Sequence, residues 1–236
     1  MLKRIVAAAA LAGALSGVLL TGVQQIAIAP LIRAGEVQEA AKAASPAPSG
    51  APTHEGWQPR DGWERLSATA VANVVLATAY ALLLVAALSL RQQSGWRAGL
   101  RWGLAGYLVF FVAPALGLPP LLPGSDAAPL VDRQTWWVGA VSCSGAGLWL
   151  AAFAKSPLLR VAGLALIAAP HVIGAPQPPG GAPNDAAAAR AFIRAAYLAN
   201  AALWLALGLS VGILCKPANA APDLAARGPG EAGPLR

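Results

Sequence analysis

The chain has 236 residues, of which 57% are hydrophobic and only 11% are charged, and its mean hydropathy is +0.57. Soluble globular domains carry about 25% charged residues, so this composition excludes a disordered chain and argues against an ordinary soluble domain. The formal charge of +7 could indicate a nucleic-acid partner. Basic residues in so apolar a chain are better explained as orientation signals of a membrane protein, so no nucleic-acid partner is expected.

Six apolar runs are long enough to cross a bilayer, whose core of about 30 Å needs roughly 20 residues of helix. Four of them, 5–29, 66–90, 134–154 and 195–215, contain no charged residue. The runs 98–118 and 157–175 each carry one arginine near their start, where its head can reach the lipid headgroups. The sequence therefore predicts an all-α bundle of six transmembrane helices over residues 1–216. Pro170 and His171 leave a re-entrant fifth segment as an alternative.

Loop charge predicts that both termini are cytoplasmic. In that orientation the inner segments hold eight basic residues and no acid before the tail, whereas the outer loops hold seven basic and eight acidic residues. The two basic totals are nearly equal, so the prediction depends on the purely basic character of the two short inner loops. Residues 217–236 are rich in Ala, Pro and Gly and are predicted to form a disordered cytoplasmic tail.

The N-terminus allows a second interpretation. Lys3-Arg4, an apolar run and Ala27-Ile28-Ala29 resemble a cleavable signal peptide. The apolar run is longer than the usual segment of about 7–15 residues, and Pro30 would follow the cleavage point directly. A retained first helix is therefore favoured. The outer loop at 30–65 follows it, and residues 31–44 could form an interfacial helix.

Both histidines of the chain fall on the predicted outer side. His54 precedes Glu55 and Asp61 in the first outer loop, and His171 lies at the outer end of the fifth run. Imidazole nitrogen with carboxylate oxygen suits a borderline divalent ion such as cobalt, nickel or zinc. The spacing is not diagnostic, because no His-x3-His or Cys-x2-Cys pair fixes a site, and most loop histidines are simply solvated.

Two adjacent amides, Gln24 and Gln25, lie late in the first run and must point in different directions around the helix. At least one should contact another helix or a watery cavity, and interhelical hydrogen bonding is the simpler alternative. The chain lacks the G-x4-G-K-[ST] loop and a G-x-G-x-x-G turn after a strand. Neither ATP hydrolysis, nor a bound cofactor, nor enzymatic activity is expected.

Several short motifs, in this order and spacing, resemble the CbtA-type cobalt transporter subunits of bacteria. The similarity extends from residue 1 to about residue 214. The motifs are Met1-Leu2-Lys3-Arg4, Gln24-Gln25, His54-Glu55-Gly56-Trp57, Asp61-Gly62-Trp63-Glu64-Arg65, Gly117-Leu118-Pro119-Pro120, Arg133-Gln134-x-Trp136-Trp137 and Pro170-His171-x-x-Gly174-Ala175-Pro176.

The resemblance implies uptake of cobalt across the bacterial inner membrane for cobalamin synthesis; nickel is the alternative ion. It also implies a small membrane partner of the CbtB type, which carries a histidine-rich terminus. The candidate metal contacts carried over by position are His54, Glu55, Asp61 and His171. The candidate pathway residues are Gln24, Gln25 and Pro170.

The chain departs from the family pattern at one position, and two other functions remain as alternatives. The family often has a carboxylate after the Pro-Pro pair, where this chain has Leu121, which casts doubt on an acidic ligand in that connector. A non-transporting scaffold or metal sensor would show the same bundle and would bind partners without ion flux. A membrane enzyme has the least support.

Overall fold

The computed structural model describes residues 2–43, 59–178 and 185–215, which form seven helices and no strand. The prediction of an all-helical chain is confirmed for these residues. The helices are α1 (Leu2–Ala27), α2 (Ala29–Ala43), α3 (Trp63–Leu90), α4 (Trp96–Gly117), α5 (Leu130–Phe153), α6 (Pro157–Ile173) and α7 (Ala186–Leu214). The predicted tail at 217–236 lies outside the described residues.

Five of the helices are long and apolar enough to cross a membrane, namely α1, α3, α4, α5 and α7. The remaining apolar helix, α6, has 17 residues, and so reaches about 25 Å at 1.5 Å per residue. That length falls at the lower end of the range that spans a bilayer. Six spans and the orientation of the termini therefore stay predictions. The short α2 follows α1 directly and agrees with the helix expected at 31–44.

The six long helices alternate in direction and pack as antiparallel neighbours. Helix α1 packs against α3 and α7, α4 packs against α7, and α5 pairs with α6. One end of the bundle contains the end of α1, the start of α3, the loop at 118–129, residues 174–178 and the start of α7; we call it the acidic end. All seven acidic residues of the described part lie there, namely Glu36, Glu39, Asp61, Glu64, Asp126, Asp132 and Asp185.

The opposite end, which we call the basic end, gathers the start of α1 and the turns α3–α4 and α5–α6. Its described charged residues are all basic, namely Lys3, Arg91, Arg97, Arg101, Lys155 and Arg160. This distribution agrees with the purely basic short loops read from the sequence. Large apolar side chains point away from the bundle between the two ends, as expected for lipid-facing helices; Val71 is 64% exposed and Leu198 72% exposed.

Glycines allow a close backbone contact between α4 and α7. A Cβ built on Gly103 would lie 2.6 Å from the carbonyl oxygen of Trp204 and 3.0 Å from Cα of Gly208. Gly99 and Gly212 meet in the same way one turn further along. In lipid, helices associate largely through such close packing. The four-residue spacing of these glycines, visible in the sequence, thus marks a real interface.

A π-helical stretch, Leu108–Val112, interrupts α4 just before Pro114. Proline lacks an N–H and its ring clashes with the carbonyl four residues earlier, so a wider turn relieves the strain. The stretch turns the Phe110 ring towards Trp204 and Tyr80, with ring centroids 5.7 and 5.2 Å away. This aromatic cluster joins α3, α4 and α7 at the centre of the bundle.

Among the helix starts, that of α7 differs most from the prediction. The helix begins at Ala186, whereas the apolar run begins at residue 195. Asp185 caps the helix by accepting hydrogen bonds from the amides of Ala187 and Ala188 at 3.0 and 2.9 Å. Four alanines follow, and alanine has the highest helix propensity. Capping and propensity therefore extend α7 beyond the segment that hydropathy alone selects.

Candidate functional site

A polar cavity of about 700 Å³ opens between α1, α2 and α3 at the acidic end; we call it the glutamine cavity. Gln24 and Gln25 line it from α1, Asp61 from the residues before α3, and Asn73 from within α3. Three of the residues predicted from the sequence therefore meet in one place.

The floor of the glutamine cavity is a buried hydrogen-bond network. The Asn73 side chain donates to Oε1 of Gln24 at 2.7 Å and to Oγ1 of Thr21 at 3.0 Å. Thr21 in turn donates to the carbonyl oxygen of Gly17 at 2.8 Å. Asn73 is only 8% exposed, and a buried amide without partners would be costly in lipid. The network therefore joins α1 to α3 and fixes the direction of the Gln24 side chain.

The mouth of the cavity holds a cluster of ion pairs. Arg65 donates to Oδ1 of Asp61 at 2.9 Å and to both carboxylate oxygens of Glu36 on α2, one of them at 3.1 Å. This forked contact ties α2 to the start of α3. The guanidinium of Arg65 thus engages Oδ1 of Asp61, while the rest of this carboxylate is exposed at the mouth of the cavity.

The donors in the glutamine cavity define what it can hold. The described residues that line it offer amide, hydroxyl and carboxylate oxygens, together with the guanidinium groups of Arg33 and Arg65. Oxygen donors suit hard or hydrated cations, whereas a borderline ion such as cobalt prefers imidazole as well. The described lining of the cavity therefore offers oxygen donors but no imidazole for such an ion.

His171 lies at a different place, on the last turn of α6. Its ring meets the edge of Trp136 on α5, with centroids 6.0 Å apart, and it does not line the glutamine cavity. Trp136 also fills the space beside Gly117 of α4, which has no side chain to obstruct the indole. Pro170, which is buried, precedes His171 and lies inside α6 without ending it. Thus His171 belongs to the junction of α4, α5 and α6.

A second cavity of about 730 Å³ lies at the same end, between α2, the 118–129 loop and the start of α7. Glu39, Asp126 and Asp185 line it beside Arg133. The Nε of Arg133 is buried and has no hydrogen-bond partner among the described residues. The sequence did not indicate this cavity, because its wall is assembled from four separate segments of the chain.

The predicted metal set is only partly described. His54 and Glu55 lie outside the described residues. Among residues 2–43, 59–178 and 185–215, no three His, Cys, Asp or Glu side chains are placed to hold one ion. The structure thus brings Asp61 to Gln24 and Gln25, and leaves His171 and Pro170 at the neighbouring junction.

Two contacts at this site were missed by sequence reasoning. Of the two partners of Arg65, the sequence could indicate only Asp61, which lies four residues before it, because Glu36 is 29 residues away. The link from Asn73 to Gln24 spans 49 residues, and the only signal for it was a polar side chain within each apolar run.

Comparison with known proteins gives one positive result. No curated protein and no solved structure matches the sequence. The model of the CbtA family, described as probable cobalt transporter subunit, matches residues 2–216, which leaves out only Met1 and the last 20 residues. The chain therefore belongs to the CbtA family of probable cobalt transporter subunits.

Proposed function

We propose that this chain is the ion-conducting membrane subunit of a cobalt uptake transporter, which captures divalent cobalt at the acidic end and passes it inward. The observation that carries the proposal is the glutamine cavity, where Gln24, Gln25 and Asp61 meet around a buried amide network. Polar side chains at membrane depth are costly and typically mark a substrate pathway. The family supplies the class of cargo.

Capture in this proposal uses the imidazoles of His54 and His171 with the carboxylates of Glu55 and Asp61. Imidazole supplies the nitrogen donors that cobalt or nickel prefers, and the acidic end concentrates cations by its charge. When the Asp61 carboxylate binds the ion in place of Arg65, the ion pair at the mouth of the cavity is broken and the mouth opens. Gln24 and Gln25 then offer amide oxygens to the ion on its way inward.

Pro170 has a separate role in the proposed route. Because proline removes a helix N–H, the carbonyl four residues earlier has no intrahelical partner at that position. Such a free carbonyl is tolerated in a membrane where it faces protein or a watery cavity. Pro170 would thereby adjust the last turn of α6, which carries His171.

In the proposed topology all six long helices, including α6, cross the bacterial inner membrane with both termini in the cytoplasm. The support is the exclusively basic set of described charges at the basic end, which the positive-inside rule directs to the cytoplasm. The word subunit in the family description implies a further component. A small CbtB-type membrane protein is the proposed partner, and cobalamin synthesis the proposed use of the ion.

The test is accumulation of radioactive cobalt by cells that express the chain with its partner. We expect Asp61→Asn and Gln24→Leu each to lower uptake at limiting cobalt by about tenfold or more, the loss typical for groups that tune a metal site. Glu64→Gln is the matched control, because Glu64 pairs with the exposed Arg60 and does not line the cavity. Equal uptake with and without the chain would refute the function.

A separate arm tests the ligands and the main alternative. Wild-type uptake in a His54→Gln, His171→Gln variant would refute the ligand assignment while leaving transport intact. Purified protein in proteoliposomes that binds its partner but passes neither cobalt nor nickel would instead identify a scaffold or sensor. Surface expression of each variant is measured by immunoblot of the membrane fraction.

A further inference from the structure

An apolar crevice of about 530 Å³ opens sideways between α3, α4 and α5 and extends towards the basic end. Its inner wall is formed by Leu83, Leu84, Val109, Phe110, Val141 and Leu148. The lining runs from Arg101 to Val109 on α4 and from Val141 to Phe153 on α5, which corresponds to about 12–18 Å along the helix axes. A long, narrow apolar slot of this kind fits a hydrocarbon chain better than a compact solute.

The end of the crevice nearest the basic end is polar and cationic. Arg101 lines it with an exposed side chain, beside Trp102 and Trp149. Arg91 lies over the ring of Phe153, with its guanidinium carbon 4.1 Å from the ring centroid. Neither arginine takes part in an ion pair with a described residue. Two guanidinium groups thus stand without a counter-charge at the point where the apolar slot ends.

A hydrogen bond and aromatic contacts fix the shape of this cationic end of the crevice. The indole N–H of Trp102 donates to Oε1 of Gln93 at 3.0 Å, and the Trp102 ring stacks on Phe153. Trp149 packs edge-on against Phe153, with centroids 4.8 Å apart. Tryptophan rings of this kind sit at the headgroup level of a bilayer. Tryptophans at that level would place the two arginines at the depth of lipid phosphates.

We infer that the crevice binds one anionic phospholipid, with an acyl chain in the slot and its phosphate at Arg101 and Arg91. The guanidinium fork matches phosphate oxygens in geometry and charge. Basic pockets between transmembrane helices are a recurrent site for acidic headgroups. A transmembrane helix of a partner could also fill the slot, but it would give the two arginines no counter-charge.

The test is lipid binding to the full-length chain in detergent, measured by native mass spectrometry. The probes are phosphatidylglycerol and phosphatidylcholine with identical acyl chains. We expect phosphatidylglycerol to bind about tenfold more tightly, and Arg101→Gln to reduce that preference to about twofold. Arg97→Gln is the matched control, because Arg97 lies on the same helix and contacts Trp96 outside the crevice. Its preference should stay tenfold.

A second variant separates the slot from the charge. Gly145 lines the crevice, and Gly145→Leu would place a side chain within it. This variant should weaken binding of both lipids while keeping the far-ultraviolet circular dichroism of the wild type. Equal affinity for the two lipids in the wild type would overturn the inference. So would a co-purified protein that protects a Ser142→Cys variant from maleimide while no lipid is bound.

Discussion

The α4–α7 contact gives a prediction whose sign the structure fixes. Gly103→Ala adds a methyl group 2.6 Å from the carbonyl oxygen of Trp204 and 3.0 Å from Cα of Gly208. Both neighbours are backbone atoms, so they cannot move aside as a flexible side chain could. The helices must separate. Gly139→Ala is the matched control, because Gly139 also lies within a helix but has no heavy atom within 4 Å of the added Cβ.

Two opposing terms set the magnitude. Replacing glycine by alanine inside a helix is worth about 0.5–1 kcal/mol in favour of the folded state. Overpacking of a close interface costs about 1–3 kcal/mol. Gly103→Ala should therefore lower the free energy of unfolding by up to about 2.5 kcal/mol, whereas Gly139→Ala should raise it by up to about 1 kcal/mol.

Reversible unfolding of the purified chain in mixed micelles, driven by sodium dodecyl sulfate, measures both values. Helix content by circular dichroism and tryptophan fluorescence should give the same midpoint for each variant. If the two substitutions shift the midpoint equally, or if Gly139→Ala is the more destabilising, the α4–α7 contact is not the close one described. A loss of the transition in both variants would refute the assignment of Gly139 to open space.

Three further predictions concern the acidic end. Asn73→Leu should lower the free energy of unfolding by about 1–2 kcal/mol in the same assay, since it removes two interhelical hydrogen bonds. Asn200→Leu should lower it less, because the Asn200 side chain donates a hydrogen bond only within its own helix. Equal decreases for the two variants would contradict this role of Asn73. Arg65→Gln should speed hydrogen exchange of the α2 amides, as Glu36 loses its partner, whereas an equal increase in Arg33→Gln would refute the role given to Arg65. In a His54→Gln background, Trp136→Ala should speed modification of His171 by diethyl pyrocarbonate, and an unchanged rate would show that the indole does not cover the imidazole.

The sequence was sufficient to predict the six apolar helices because each is an apolar segment bounded by charge or proline. Hydropathy is less informative about where a helix begins, as α7 shows, since its first nine residues include Arg190 and Arg194. The side-chain cap of Asp185 depends on local geometry, which an apolar window does not measure. The four-residue spacing of the glycines in α4 and α7 is visible in the sequence, but it does not show which helices contact each other.

The site was predictable only to the level of single residues. Gln24 stood out because it is a polar group within an apolar run, and burial of such a group requires a partner. Asn73 is a polar group in the same setting on α3. Their pairing depends on how α1 and α3 align, and nothing in either segment alone fixes that register. The ion pair of Asp61 with Arg65 is local, since the two positions are four residues apart, whereas the contact of Arg65 with Glu36 depends on how α2 lies against the start of α3.

The separation of charge between the two ends has a consequence for energetics. In the proposed orientation a divalent ion is attracted where it arrives and repelled by Arg91, Arg97 and Arg101 where it leaves. Release into the cell, and not capture, is then the electrostatically uphill step. The membrane potential contributes about 2.3 kcal/mol per charge per 100 mV, hence roughly twice that for a divalent ion. Inward flux should accordingly collapse in de-energised vesicles even when surface binding of the ion persists.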